Sequence, residues 1–81
     1  PGLTPDHVQQ AQLQLALDYT YSGLLDRGEV LLQELAKGAR PEVRRSAGRE
    51  LVLLYQEERE WEKAIAAVEE LCRDVALADA E

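Results

Sequence analysis

Few residues in this chain are of a type that does chemistry, and their spacing keeps them apart. His7, the single histidine, falls in the first turn of a helical stretch, where it reads as a solvent-exposed surface residue. Cys72 is the one cysteine, so neither an internal disulfide nor a cysteine-based metal site can form. It lies on an apolar stripe with Val68, Leu71 and Val75, and reads as a small hydrophobe in a helical stack rather than a reactive thiol. No serine, cysteine and histidine cluster can be assembled, and there is no glycine-rich phosphate loop. The acidic pairs Glu57-Glu58, Glu60-Glu62 and Glu69-Glu70 have the charge to hold a cation, but basic residues are interleaved with them, as on a solvated helix face. The expectation is a non-enzyme, with no catalytic residue, no metal and no cofactor.

Arg40, Arg44, Arg45 and Arg49 form one basic cluster in an acidic chain. Arginine near a helix N-terminus opposes the helix dipole, so a compensating group is required. Two accounts stand. The arginines pair with Glu42, Asp18 or acids on the second helix, or they present a contact patch to an anionic partner or an adjoining repeat.

The elements that must position these residues are helical. Eighty-one residues allow one small domain, and a chain this short buries only about 60% of its unfolded surface, so its core is marginal without neighbours. Apolar residues make up 46%, yet Phe and Met are absent, leaving Leu, Val, Ala, Ile, Tyr and Trp to build that core. The net charge of −7 argues against nucleic acid or an anionic membrane as the main partner. No run is long enough to span a bilayer, and no secretory leader is visible. A lone cysteine fits a reducing compartment. The opening Pro1-Gly2, in place of Met, reads as a boundary cut from a longer protein.

Thr4 is a good N-cap, Pro5 suits a first helical position, and Asp6 complements the dipole. Val8, Ala11, Leu15 and Tyr19 then recur at helical spacing, with Leu13, Ala16, Leu17 and Tyr21 widening the stripe, until Gly23 ends the helix. A second helix runs from about Leu25 to Lys37 and closes at Gly38. Pro41 opens a third that continues to about Glu58, and a fourth spans about Trp61 to Asp74 or Val75. Trp61 and Tyr55 bracket the last turn, and core packing accounts for both. Residues 76–81 lack a periodic apolar face and read as a frayed end or the stub of another repeat. Loops this short make consecutive helices antiparallel neighbours.

The same hairpin is written twice, 36 residues apart. Leu15-Ala16-Leu17-Asp18-Tyr19 returns as Leu51-Val52-Leu53-Leu54-Tyr55, and Glu34-Leu35 returns as Glu70-Leu71. The chain therefore reads as all-α: four antiparallel helices in two stacked hairpins, a solenoid fragment. Repeat 1 covers about 5–38 and repeat 2 about 41–75, within a single unit 1–81. Small residues on facing helices, Ala16 against Gly28 and Ala64 in the second hairpin, permit close approach.

With Leu15, Ala16, Tyr19, Gly23, Leu25 and Gly28 in one hairpin, and Leu51, Val52, Tyr55, Arg59, Trp61 and Ala64 in the other, the chain resembles the tetratricopeptide repeat, whose period is 34. The two extra residues fit in the 37–43 turn. Arg59 replaces the turn glycine and Val52 the small residue, departures that repacking absorbs. That resemblance implies a groove lined by the first helix of each hairpin. Its inner face maps here to Gln10, Leu13, Leu17, Thr20 and Tyr21, and to Ser46, Arg49, Leu53, Gln56 and Glu57. Leu13, Leu17 and Leu53 make it apolar and mixed, suited to a helix or extended segment rather than a carboxylate clamp. The same leucines could instead cover a further repeat. The partner-binding residues expected are Leu13, Leu17, Tyr21, Arg45, Arg49, Leu53 and Gln56.

A narrower resemblance rests on Asp18-Tyr19, Gly23-Leu24-Leu25-Asp26-Arg27, Leu54-Tyr55-Gln56 and Trp61-Glu62-Lys63-Ala64-Ile65. These are similar to the lipopolysaccharide assembly protein B family, although Gly28 stands where that family more often has alanine. The resemblance implies a bacterial regulatory adaptor anchored to the inner membrane and facing the cytoplasm. It would help present the deacetylase that commits precursors to lipid A to a membrane AAA+ protease, and the anchor and cysteine-rich metal domain of that family are not in this segment. Two other classes stay open: a repeat module of another complex, such as one accompanying a glycosyltransferase, or a self-assembling structural module. Two repeats leave Ile65, Val68, Leu71 and Cys72 without a neighbour, which predicts a homo-oligomer through that face.

Overall fold

The computed structural model describes residues 5–80, and the surroundings of side chains 7–74. Four helices follow one another: α1 (Pro5–Tyr21), α2 (Leu25–Gly38), α3 (Pro41–Glu57) and α4 (Trp61–Ala80). The sequence repeat is carried into every helix start. Pro5 and Pro41 begin α1 and α3, each 17 residues long, and Leu25 and Trp61 begin α2 and α4, all offset by 36.

The two intra-hairpin turns are the same turn. Helix α1 ends with the N–H of Gly23 donating to the Thr20 carbonyl and that of Leu24 to the Tyr19 carbonyl, while Gly23 takes a φ of 86°. Helix α3 ends with Arg59 donating to Gln56 and Glu60 to Tyr55, and Arg59 takes a φ of 59°. This pair of bonds with a left-handed residue between them satisfies carbonyls that a helix end otherwise leaves without partners. A glycine supplies that conformation at no steric expense; an arginine does not. The Gly28 N–H to Leu24 and the Ala64 N–H to Glu60 repeat the pattern once more.

Between the hairpins the chain turns differently. Gly38 is the last residue of α2 and does not adopt a left-handed φ; Ala39 is extended, with its N–H returned to the Leu35 carbonyl. Arg40 is also extended, as the residue before a proline must be, and Pro41 starts α3 where its missing N–H is not needed. The Thr4 cap and the Asp6 side chain lie outside the described residues. At the other end α4 runs on to Ala80, past the Asp74–Val75 boundary that the apolar periodicity suggested; the 76–81 segment is helical through Ala80.

Each helix packs against the next, and α1 also touches α3, but the backbone of α4 comes close to neither α1 nor α2 among the described residues. The result is an open array, not a closed bundle. Its Cα extents of 43 × 37 × 13 Å describe a slab little thicker than one helix. The core is a seam of Ala16, Leu32, Leu35, Val43, Ala47, Leu51, Leu54 and Tyr55, continued by Ala64. It holds small residues where helices cross. A Cβ added at Gly28 would lie 2.5 Å from Thr20 Cγ2 and 3.2 Å from the Ala16 carbonyl oxygen, so glycine sets the α1–α2 spacing. The Ala16–Gly28 approach expected from the residue types is therefore present.

Candidate protein-binding surfaces

The residues expected to bind a partner fall on two stripes in equivalent positions of α1 and α3. Leu13, Leu17 and Tyr21 recur every four residues along α1 (i, i+4, i+8). Leu13 and Leu17 are half-buried, with Leu13 packed on the core, and Tyr21 is largely exposed. On α3 the stripe runs Arg45, Arg49, Leu53, Gln56. Leu53, Arg49 and Gln56 are exposed, and Arg45 is half-buried. The 36-residue offset matches Leu17 to Leu53 and Leu13 to Arg49, and α1 touches α3.

The arginine cluster divides. Arg44 Nε donates to Asp74 Oδ1 at 3.0 Å, its Nη2 joins the same oxygen, and its Nη1 reaches the Ala39 carbonyl. Arg45 Nε lies 3.8 Å from Asp74 Oδ2; each of those two buried atoms lacks a hydrogen bond and has the other as its ionic neighbour. The hydrogen bond from Arg44 holds the Asp74 carboxyl below the usual range and raises the guanidinium in return. The acid that answers Arg44 and Arg45 is thus Asp74 on the fourth helix, in place of the expected Glu42, Asp18 or acids on the second helix. Arg49 donates to the Ser46 hydroxyl. The Arg40 N–H is received by the Gln9 side chain, tying the second inter-helix loop to α1.

A second concavity was not evident from residue types. Because α2 and α4 stand apart, α3 floors an open cleft between them. Gly48, Leu51 and Tyr55 form the floor, with Lys37 on one wall and Ala67 and Leu71 on the other. Gln33 donates to the Tyr55 hydroxyl at 2.9 Å, and Lys63 stands 5.8 Å above the Tyr55 ring and 3.9 Å from Glu29. Burial first, then Glu29, push the phenol up. Burial, then Glu29, Glu60 and Asp26, push the Glu58 carboxyl up as well. The usable signal was the repeat itself, since a shallower cleft beside Leu15, Tyr19, Leu31 and Glu34 occupies the same place in the first hairpin.

Two expectations for single residues need correction. Trp61 is 57% exposed at the start of α4, whereas Tyr55 is buried as expected. Cys72 is exposed as well, not packed in a stack. Ile65 and Val68 are exposed too, and Leu71 is half-buried, its Cδ1 3.5 Å from a Cβ placed at Gly48. His7 is exposed. Among the described residues no three His, Cys, Asp or Glu side chains converge to hold a metal, and no helix is long and apolar enough to cross a membrane.

An open array of helical hairpins with apolar side chains on its faces is a class built for contact with other chains. Over 73 residues, 90% of its length, the chain is 34% identical to lipopolysaccharide assembly protein B of Haemophilus influenzae, and it spans 18% of that relative. No family model and no solved structure matches the chain.

Proposed function

We propose that this chain is a protein–protein interaction module of the tetratricopeptide type, belonging to a regulatory adaptor of lipopolysaccharide assembly. The observation that carries the reading is the 34% identity across nine-tenths of the chain to a protein named for that process. The doubled hairpin and its open faces support the same reading, because such an array binds by surface and performs no chemistry of its own. Two repeats, about 5–38 and 41–75, form its unit.

In this reading the α1–α3 face receives a helix or extended segment of a protein. Leu13, Leu17 and Leu53 supply the apolar floor, Tyr21 and Gln56 the rim, and Arg45 and Arg49 a cationic contact for acidic groups of the partner. The module faces the cytoplasm as part of an inner-membrane protein. It helps bring the deacetylase that commits precursors to lipid A to a membrane AAA+ protease, and so sets lipopolysaccharide output. Affinity purification of the parent protein from its own cells tests this. Recovery of the deacetylase and the protease is expected; recovery of neither, with an unrelated complex or a glycosyltransferase in their place, contradicts it.

A further inference from the structure

We propose that the cleft between α2 and α4 holds an extended segment of a partner protein, acidic at the end that meets Lys37 and basic at the end that meets Glu58. This occupant is additional to whatever fills the α1–α3 face. On α3 the cleft floor (Gly48, Leu51, Tyr55) and the stripe Arg49, Leu53, Gln56 lie on different sides of the helix. The cleft is built from three consecutive helices and not from an end of the chain. Leu51, Tyr55, Lys63, Ala67 and Glu70 in it correspond, at the 36-residue offset, to Leu15, Tyr19, Arg27, Leu31 and Glu34 in the shallower cleft. That shallower cleft stays open although α3 and α4 follow it, and neither helix contributes to its lining. A further hairpin packed after α4 in the same way leaves the α2–α4 cleft open too.

Charge is divided between the two ends of the cleft. At one end Arg44 and Arg45 share Asp74, and Arg73 pairs with Glu70. Lys37 lines that end, is exposed, and makes no ion pair among the described residues. At the Tyr55 end Glu29 and Glu60 share Lys63, at 3.9 and 4.0 Å. Glu58 stands beside those two acids, is exposed, and makes no ion pair among the described residues either. One end therefore keeps an excess of cation and the other an excess of anion, with an apolar floor between them. From Arg44 to Glu58 the chain rises about 21 Å along α3, the length of about six extended residues. The Glu29–Lys63 pair bridges the two walls, which leaves width for an extended segment and not for a helix. The middle of the segment lies over Gly48 and Leu51, its acid reaches Lys37, and its base reaches Glu58.

Fluorescence anisotropy with end-capped synthetic peptides tests this on the 81-residue chain and on the full-length parent. The probe carries two glutamates, three apolar residues and two lysines in that order, so its net charge is zero. Its isomer with glutamates and lysines alternating is the comparison. The block-ordered peptide is expected to bind both proteins at least about five-fold more tightly than the isomer. Lys37→Glu and Glu58→Lys change the net charge of the protein in opposite directions, yet each should weaken the block-ordered peptide at least about five-fold. Both positions are exposed, so each variant should keep the helical circular dichroism of the unsubstituted protein. Equal binding of the two peptides, opposite effects of the two variants, or undiminished binding by either folded variant would overturn the proposal. So would binding to the 81-residue chain but not to the parent, which assigns the cleft to a segment of the parent itself. Loss of binding as the chain self-associates assigns it to a second copy, and overturns the proposal likewise.

Discussion

Gly23 and Arg59 hold the same left-handed backbone, φ 86° and 59°, at equivalent places in two turns whose hydrogen bonds match one for one. One turn is made by the residue suited to it, the other by a residue that strains to enter it. Nothing lies within 4 Å of a Cβ built on Gly23, so a substitution there meets only backbone strain. Gly23→Ala is expected to destabilise the fold by about 1 kcal/mol. Arg59→Gly should stabilise it by about 0.5 kcal/mol once the added freedom of the unfolded chain is subtracted. Urea unfolding of the two variants checks both signs; equal effects would mean the turns are not equivalent.

Gly28 and Thr20 are fitted to one another. An alanine at 28 collides with the Thr20 methyl, which cannot rotate away without breaking the 2.8 Å bond from its hydroxyl to the Leu17 carbonyl. Gly28→Ala should therefore cost about 1–2 kcal/mol, overpacking outweighing the gain in helix propensity. In the second hairpin the pair is Ala64 and Gln56, with no branched methyl at the crossing. Combining Thr20→Ser with Gly28→Ala should recover at least half of the loss. A double-mutant cycle measures this, and strict additivity would rule out the collision.

Much of this was legible in the sequence because it depends on local chemistry. Pro5 and Pro41 mark helix starts, Gly23 marks a turn, and the spacing of Leu and Ala marks the buried seam. What was not legible depends on which helices meet. The partner of Arg44 and Arg45 lies a whole hairpin away in the chain, and only the register of α3 on α4 selects Asp74 over the nearer acids. Trp61 follows a turn, as core aromatics of hairpins do, but α3 alone does not cover it, and residue type does not reveal which helices will. The repeat pattern places the α1 and α3 stripes, whereas the α2–α4 cleft arises from two helices whose backbones do not pack together, joined across it by the Glu29–Lys63 pair.

Two carboxyls give the stability of the chain opposite slopes with pH. Glu58 is raised above its ordinary 4.5 by burial and by acidic neighbours, so the folded state binds its proton first and gains stability as pH falls through that raised value. Asp74 is held below its ordinary 3.8 by Arg44, so its contribution is full above 3.8 and disappears as pH falls through the lowered value. Thermal unfolding should therefore show its highest midpoint in mildly acidic solution, falling on both sides. Glu58→Gln should flatten the upper limb and Asp74→Asn the lower one. A midpoint falling steadily from neutral pH downward would contradict the first assignment.

The most direct test of the recognition account is quantitative co-purification with the full-length parent carrying Leu17→Glu and Leu53→Glu, beside a parent carrying Arg73→Glu. The leucines are counterparts on α1 and α3, whereas Arg73 lies on α4 with an exposed i,i+3 pair to Glu70 that contributes little to stability. If the α1–α3 face holds the partner, the leucine variant should lose at least about ten-fold of the captured deacetylase while Arg73→Glu retains it. Undiminished capture by a folded leucine variant would show that the partner is held elsewhere.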